Sequence, residues 1–229
     1  MKLEPAAGRK ATSGGQAASG SLRLASLANV RRSRQSEEAP VDRICEAALE
    51  LFVRKGYRAT TIDEIAKRGR LTKGAVYYYF KSKAELLDEI VERVRNGYPC
   101  GIPEGNGPQE KLVNFFHTQA KWAIERPTNL LLMILMSVEF KETKNATKLK
   151  IDQIYADMSN AIAEIVEEGK ASGVFSCSLS SKQLGAFYVA AHDGMMLEWY
   201  RGGRKPQKGI ELVQALRTSM LSALGVSQA

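Results

Sequence analysis

Cysteine and histidine are scarce in this chain. Its 229 residues hold three Cys and two His. Cys45, Cys100 and Cys177 are far apart and odd in number, with no Cys-x-x-Cys pair, which excludes a disulfide framework and a zinc site. His117 and His192 lie in different predicted helices, and neither has a ligand-type residue at i, i+4, so no metal is expected. Long apolar runs are missing too. The longest, Leu130 to Met136, is far too short to cross a bilayer, and the first residues lack the apolar core of a signal peptide. No Gly-rich phosphate loop, nucleophile elbow or His-Glu-x-x-His pattern occurs. Asp193 stands next to His192, but adjacent helix residues point in different directions. The chain therefore reads as neither an enzyme nor a membrane protein, with no cofactor and with its cysteines as free thiols in a reducing cytoplasm. Strand-like alternation and internal repeats are also absent, which leaves an all-α chain.

What the sequence has in excess is positive charge, and it is unevenly placed. The formal net charge is +8. Before Glu37, Lys2, Arg9, Lys10, Arg23, Arg31, Arg32 and Arg34 face only Glu4, which nets +6 there. Residues 1–36 are rich in Gly, Ala, Ser and Arg and read as a disordered basic tail. That tail is either plain solvated chain or an arm adding phosphate contacts. An Arg- and Ser-rich, acid-poor start also resembles an organellar transit peptide.

A second basic concentration lies in Arg54 to Lys83, where nine Lys and Arg face Asp63 and Glu64 alone. Thr61 with Glu64 has capping-box spacing and predicts a short helix with Ile62, Ile65 and Ala66 inward. Gly69 should end it. Thr72 can cap a second short helix, with Val76 and Phe80 inward at i, i+4. Ser82 with Glu85 repeats the capping box ahead of a helix from Ala84 to about Asn96. A helix over about Val41 to Lys55 precedes them. Two short helices joined by a tight turn, the second basic and rich in tyrosine, form a major-groove reader by geometry. Its first turn, Thr72 to Ala75, is small enough for close approach, and lysine and tyrosine suit phosphate oxygens. The candidates for DNA contact are Arg58, Thr61, Arg70, Thr72, Lys73, Gly74, Ala75, Tyr77, Tyr78, Lys81 and Lys83. A solvated helical hairpin that binds nothing has the same capping residues, so the local charge decides between them.

These residues resemble the N-terminal domain of TetR-family transcriptional regulators. The resemblance runs from Ile44–Phe52 through Lys55–Gly56–Tyr57, Thr60–Thr61–Ile62 and Ile65–Ala66 to Lys73–Gly74, Tyr77, Phe80, Ser82–Lys83 and Leu86, about a quarter of the chain. One departure stands in the turn. The family has Ala–Gly–hydrophobic where this chain has Gly69–Arg70–Leu71. Either the turn bends at Gly69, or Arg70 takes a left-handed conformation at roughly 1 kcal/mol or more.

The resemblance implies three parts: the tail at 1–36, a helix-turn-helix domain at 37–97 with the motif at about 60–79, and a helical regulatory and dimerisation domain at 98–229. The linker Gly97 to Pro108 carries the boundary. Further helices are predicted over Gln109–Glu125, Thr128–Glu142, Ala146 to about Ser172, Ser180 or Ser181 to about Tyr200, and Lys208–Leu224. In such proteins the last two helices form a four-helix dimer interface, which points here to Gly185, Met195, Trp199, Val213, Leu216 and Met220. The same residues can instead close the monomer core. A small molecule is usually held among the middle helices. Candidate lining residues are Phe115, Phe116, Trp122, Met133, Met136, Phe140, Tyr155, Met158 and His192, a set suiting an apolar or aromatic effector or simply packed as core. The resulting expectation is a bacterial cytoplasmic homodimeric repressor, released from double-stranded operator DNA by such an effector. The alternatives are an architectural or partner-regulated DNA binder without a small-molecule switch, and a helical interaction protein that keeps only the fold.

Overall fold

Helix starts in this chain are set by two local devices. The computed structural model describes residues 40–226. The basic tail expected at 1–36 lies outside the described residues. Side-chain caps open five helices: Thr61 opens α2 (Ile62–Arg68), Thr72 opens α3 (Lys73–Tyr79), Ser82 opens α4 (Lys83–Gly97), Asn145 opens α7 (Ala146–Ala171) and Ser180 opens α8 (Ser181–Arg201). Each cap satisfies an otherwise unpaired N–H and contributes about 1 kcal/mol. Proline at the first helical position, where the missing N–H costs nothing, opens α5 (Pro108–Glu125), α6 (Pro127–Glu139) and α9 (Pro206–Ala223). The first helix, α1, covers 40–55. No strand occurs among the described residues.

Several predicted details shift. The full capping box forms at Thr61–Glu64 and at Ser180–Gln183. At Ser82 only half of it forms, because the Glu85 carboxylate accepts from the Lys81 N–H at 2.7 Å instead of reaching Ser82. Helix α6 stops at Glu139, three residues short of the predicted Glu142, with Phe140 as its cap. Leu149, an apolar residue of α7, is 70 % exposed.

Among the described residues, the chain from Ile44 onward forms one compact unit. In it, α7 and α8 make the most extensive helix–helix contact, and α7 also packs on α4, α5 and α6. The α7–α8 crossing is close because Gly185 has no side chain: a Cβ there would lie 2.3 Å from the Ser159 carbonyl oxygen. Gly169 plays the same part for the chain after α7, where a Cβ would fall 2.0 Å from the Phe175 ring. The helix-turn-helix is tied to the rest through α4. Lys150 on α7 pairs with Asp88 at 2.8 Å and Glu92 at 2.9 Å, and the Thr147 hydroxyl donates to Asp88 at 2.9 Å. The Glu92 carboxyl is held down to about 2 by hydrogen bonds, first from Arg95 and then from Lys150.

Candidate nucleic-acid interface and effector cavity

The inner faces of α2 and α3 form as the periodicity predicts. Ile62, Ile65, Ala66, Val76 and Phe80 are buried. Glu64 completes the α2 cap and also pairs with Lys55 at the end of α1; the Lys55 and Thr61 hydrogen bonds hold its carboxyl down to about 2. Between the two helices the chain makes a Schellman turn. The Arg70 N–H donates to the Lys67 carbonyl at 3.2 Å and the Leu71 N–H to the Ala66 carbonyl at 2.8 Å. That motif requires a left-handed residue one place past the cap. Gly69 holds the cap itself at φ −75°, so Arg70 takes the left-handed place at φ +56°. Of the two paths open to the sequence, the strained one is adopted.

The outer face of α3 presents Lys73, Gly74, Tyr77 and Tyr78 to solvent, with Ala75 half-buried beside them. Tyr78 is 83 % exposed, the most exposed large hydrophobic side chain among the described residues, and meets the Tyr79 ring edge-on at 5.0 Å. Arg70, Thr72 and Lys81 are exposed around it. Three predicted contacts, Lys73, Thr61 and Thr72, are engaged within the protein. Lys73 pairs with Asp63 on α2 at 2.9 Å, so its ammonium must exchange that carboxylate for DNA. Thr61 and Thr72 spend their hydroxyls on the caps.

Lys83 is placed differently from the phosphate contact expected of it. Its ammonium donates to the carbonyls of Tyr57 and Thr60, both at 2.7 Å, and of Arg58 at 3.2 Å, and lies 4.6 Å from the centre of the Tyr57 ring. It braces the α1–α2 loop against the start of α4. The Tyr57 ring also meets Phe52 at 5.2 Å and Phe140 at 5.3 Å, and Arg58 pairs with Glu139 at 3.4 Å. The capping end of α6 therefore rests on the loop that leads into α2.

The largely apolar cavity, of about 240 Å³, opens between α5, α8 and α9. Of the nine residues expected to line a pocket, Phe116 and His192 do so. Phe115, Trp122, Met133, Met136 and Met158 are 0–6 % exposed in the packed core. Tyr155 is half-buried, with burial raising its hydroxyl far above the usual tyrosine range, and Phe140 lies on Tyr57. The inward stripes of α6 and α7 face helices, while the cavity uses another face of α8. Sequence reasoning missed Tyr188 and Gln119, which line the cavity at 1 % and 3 % exposure. Tyr188 stands four residues before His192 on one helical face, but the burial that marks it is not readable from the sequence.

The expected dimer residues also divide. Gly185 meets α7, Met220 is fully buried in the chain's own core, and Trp199 is 8 % exposed with its indole N–H donating to the Lys205 carbonyl at 2.9 Å. Met195, Val213 and Leu216 line the cavity. The solvent face of α8 includes Phe187, Ala190 and Gly194, and that of α9 includes Ala215, Ser219 and Ser222. Gly194 has open space where a Cβ would stand. Among the described residues no helix is long and apolar enough to cross a membrane.

Comparison with known proteins covers both halves of this arrangement. Residues 44–90 match the model of bacterial regulatory proteins of the tetR family, and residues 80–212 match that of the YsiA-like protein C-terminal region. The crystal structure of the MbdR regulator from Azoarcus sp. CIB superposes with a TM-score of 0.71 at 35 % identity, over 81 % of this chain and 98 % of that one. PfmR from Thermus thermophilus, a TetR family transcriptional regulator, gives 0.67 at 27 % identity over 79 % and 98 %. The HTH-type transcriptional repressor KstR2 of Mycolicibacterium smegmatis is 25 % identical over 174 residues, 71 % of this chain and 80 % of its own.

Proposed function

This chain belongs to the TetR family of transcriptional regulators, a non-enzymatic family, and from that premise we propose that it is a homodimeric repressor released from its operator by a small apolar or aromatic effector. The observation that carries the reading is the pairing of an exposed tyrosine- and lysine-bearing α3 with an apolar cavity of about 240 Å³ in the same compact unit. DNA is read by Lys73, Ala75 and Tyr78, while Arg70, Tyr77 and Lys81 hold phosphates.

The dimer face is the solvent side of α8 and α9. An exposed glycine inside a helix costs about 1 kcal/mol relative to alanine. Gly194 has no neighbour in its own chain that requires it, and a partner helix crossing there explains it. The small residues Ala190, Ala215, Ser219 and Ser222 suit the same close approach.

Release follows from two forms of the dimer that space their α3 helices differently. An effector shifts the balance only by its differential affinity for the two. The contacts able to pass that shift are Phe140 on Tyr57, Glu139 with Arg58, and Lys150 with Asp88 and Glu92. Fluorescence anisotropy of labelled operator tests the reading. Hydrophobic compounds that raise the melting temperature should also release DNA; stabilisation without release favours a DNA binder lacking the switch.

A further inference from the structure

The cavity between α5, α8 and α9 holds buried polar groups whose hydrogen-bonding capacity is unmet. Tyr188 and His192 are 1 % and 2 % exposed, both line it, and they stand one helical turn apart on α8 with ring centres 5.8 Å apart. No described residue hydrogen-bonds the Tyr188 hydroxyl or His192 Nε2. His192 Nδ1 lies 3.5 Å from the Asp193 carboxylate, which favours the proton on Nδ1 and leaves Nε2 as an acceptor. Across from them, Gln119 on α5 donates from Nε2 to the Pro99 carbonyl at 2.6 Å. That bond fixes the amide orientation and leaves Oε1 buried with no donor.

Buried polar groups are nearly always hydrogen-bonded; Gln119 Oε1 is buried without a donor, and with the Tyr188 hydroxyl and His192 Nε2, which bond to no described residue on the neighbouring wall, it makes three groups that define a complementary ligand. Two of the three, His192 Nε2 and Gln119 Oε1, are acceptors, so the ligand must bring a donor. The Tyr188 hydroxyl can give or accept, and burial keeps it protonated. No carboxylate lines the cavity, so a cationic amine finds no counter-charge; the one charged lining residue is Arg217, with which a carboxylate would pair, and 2-naphthoate tests that competing ligand. Phe116 stacks on the Tyr188 ring at 5.5 Å and 26°, and Met195, Val213 and Leu216 supply apolar wall. An apolar cavity of about 150 Å³ accepts benzene, so this one takes a body of about two fused rings.

Resting on the reading of the cavity as an effector site, we propose that the effector is an uncharged phenol or hydroxylated ring compound whose O–H donates to His192 Nε2 and whose oxygen accepts from the Tyr188 hydroxyl. The test titrates the full-length protein calorimetrically with 2-naphthol, 2-methoxynaphthalene and 2-naphthoate, in parallel with operator release. Replacing the hydroxyl by its methyl ether removes the donor and keeps the rings. We expect 2-naphthol to bind about tenfold more tightly than the ether. His192→Phe keeps an aromatic ring without the acceptor and should bring that ratio below about threefold. The proposal is overturned by equal binding of naphthol and ether to the unmodified protein, by a ratio preserved in His192→Phe, by naphthoate binding most tightly, or by no binding of any probe. The ratio in the unmodified protein decides the matter alone should the variant not fold. Equal operator release by naphthol and ether overturns the polar anchor and leaves the effector reading standing. Naphthol-selective binding without release supports the anchor and removes the switch.

Discussion

Replacing Arg70 by glycine separates two effects that coincide in one residue. Arg70 sits at φ +56°, a conformation that costs an L-residue roughly 1–2 kcal/mol. Glycine adopts it freely but loses more freedom on folding, by roughly 0.5–1 kcal/mol. The net expectation for Arg70→Gly is a gain of about 0.5–1 kcal/mol, or ~1–4 °C in melting temperature for a chain of this size. The Schellman hydrogen bonds from Arg70 and Leu71 use backbone only, so they survive. Arg70→Ala keeps the strain and removes the charge, and should leave stability within about 0.5 kcal/mol. Both variants should bind operator more weakly, with the slope of log affinity against log salt shallower by about 0.9 for one lost phosphate contact. Denaturant midpoints at unchanged m measure the first effect, and anisotropy over a salt series measures the second. Equal stabilities for the Gly and Ala variants refute the strain argument. An unchanged salt slope refutes the phosphate contact and leaves the strained arginine without a function.

Gly194→Arg fills the open space on α8 without disturbing the chain's own packing, so sedimentation should show folded monomers and operator binding should be lost; a dimer of unchanged affinity places the interface elsewhere. Phe140→Ala withdraws the ring that rests on Tyr57, and is expected to preserve effector binding while weakening operator release at least threefold; full release would show that coupling runs through α4 and α7 alone. Lys83→Met leaves three carbonyls without their donor and should lower stability by about 2 kcal/mol, measured by urea unfolding. Glu64 and Glu92 both have carboxyls depressed from 4.5 to about 2 in the folded chain. Their contribution is present above the unfolded value and is lost as pH falls through the folded one. Stability should therefore decline between about pH 4.5 and 2, and Glu92→Gln should flatten that decline in thermal melts.

The helix-turn-helix is legible in the sequence because its determinants are local. Thr61, Glu64, Thr72 and Ser82 act within four residues of their partners, and the inward faces of α2 and α3 follow from spacing alone. What escapes prediction depends on residues far apart in the chain. The Lys83 ammonium reaches carbonyls 23 to 26 positions earlier, so a basic residue in a DNA-binding segment becomes a brace. Gly185 reads by its size as a dimer contact, but its open side faces Ser159 on α7. The cavity is misplaced for the same reason. Helical periodicity shows that α8 has apolar residues all around, yet not which face meets α7 and which is left to α5 and α9. His192 is recognisable from sequence as a polar handle, while Tyr188 becomes significant only when its burial and missing partner are visible.

On this reading a symmetric pair of α3 helices reads DNA by sequence. Selection of bound fragments from a random duplex pool with the full-length protein tests it most directly. Enrichment of an inverted repeat is expected, its half-sites about one helical turn apart or a multiple of that, with the preferred bases changed in Tyr78→Ala. A pool that remains random after repeated rounds, or a single unrepeated half-site, would contradict it.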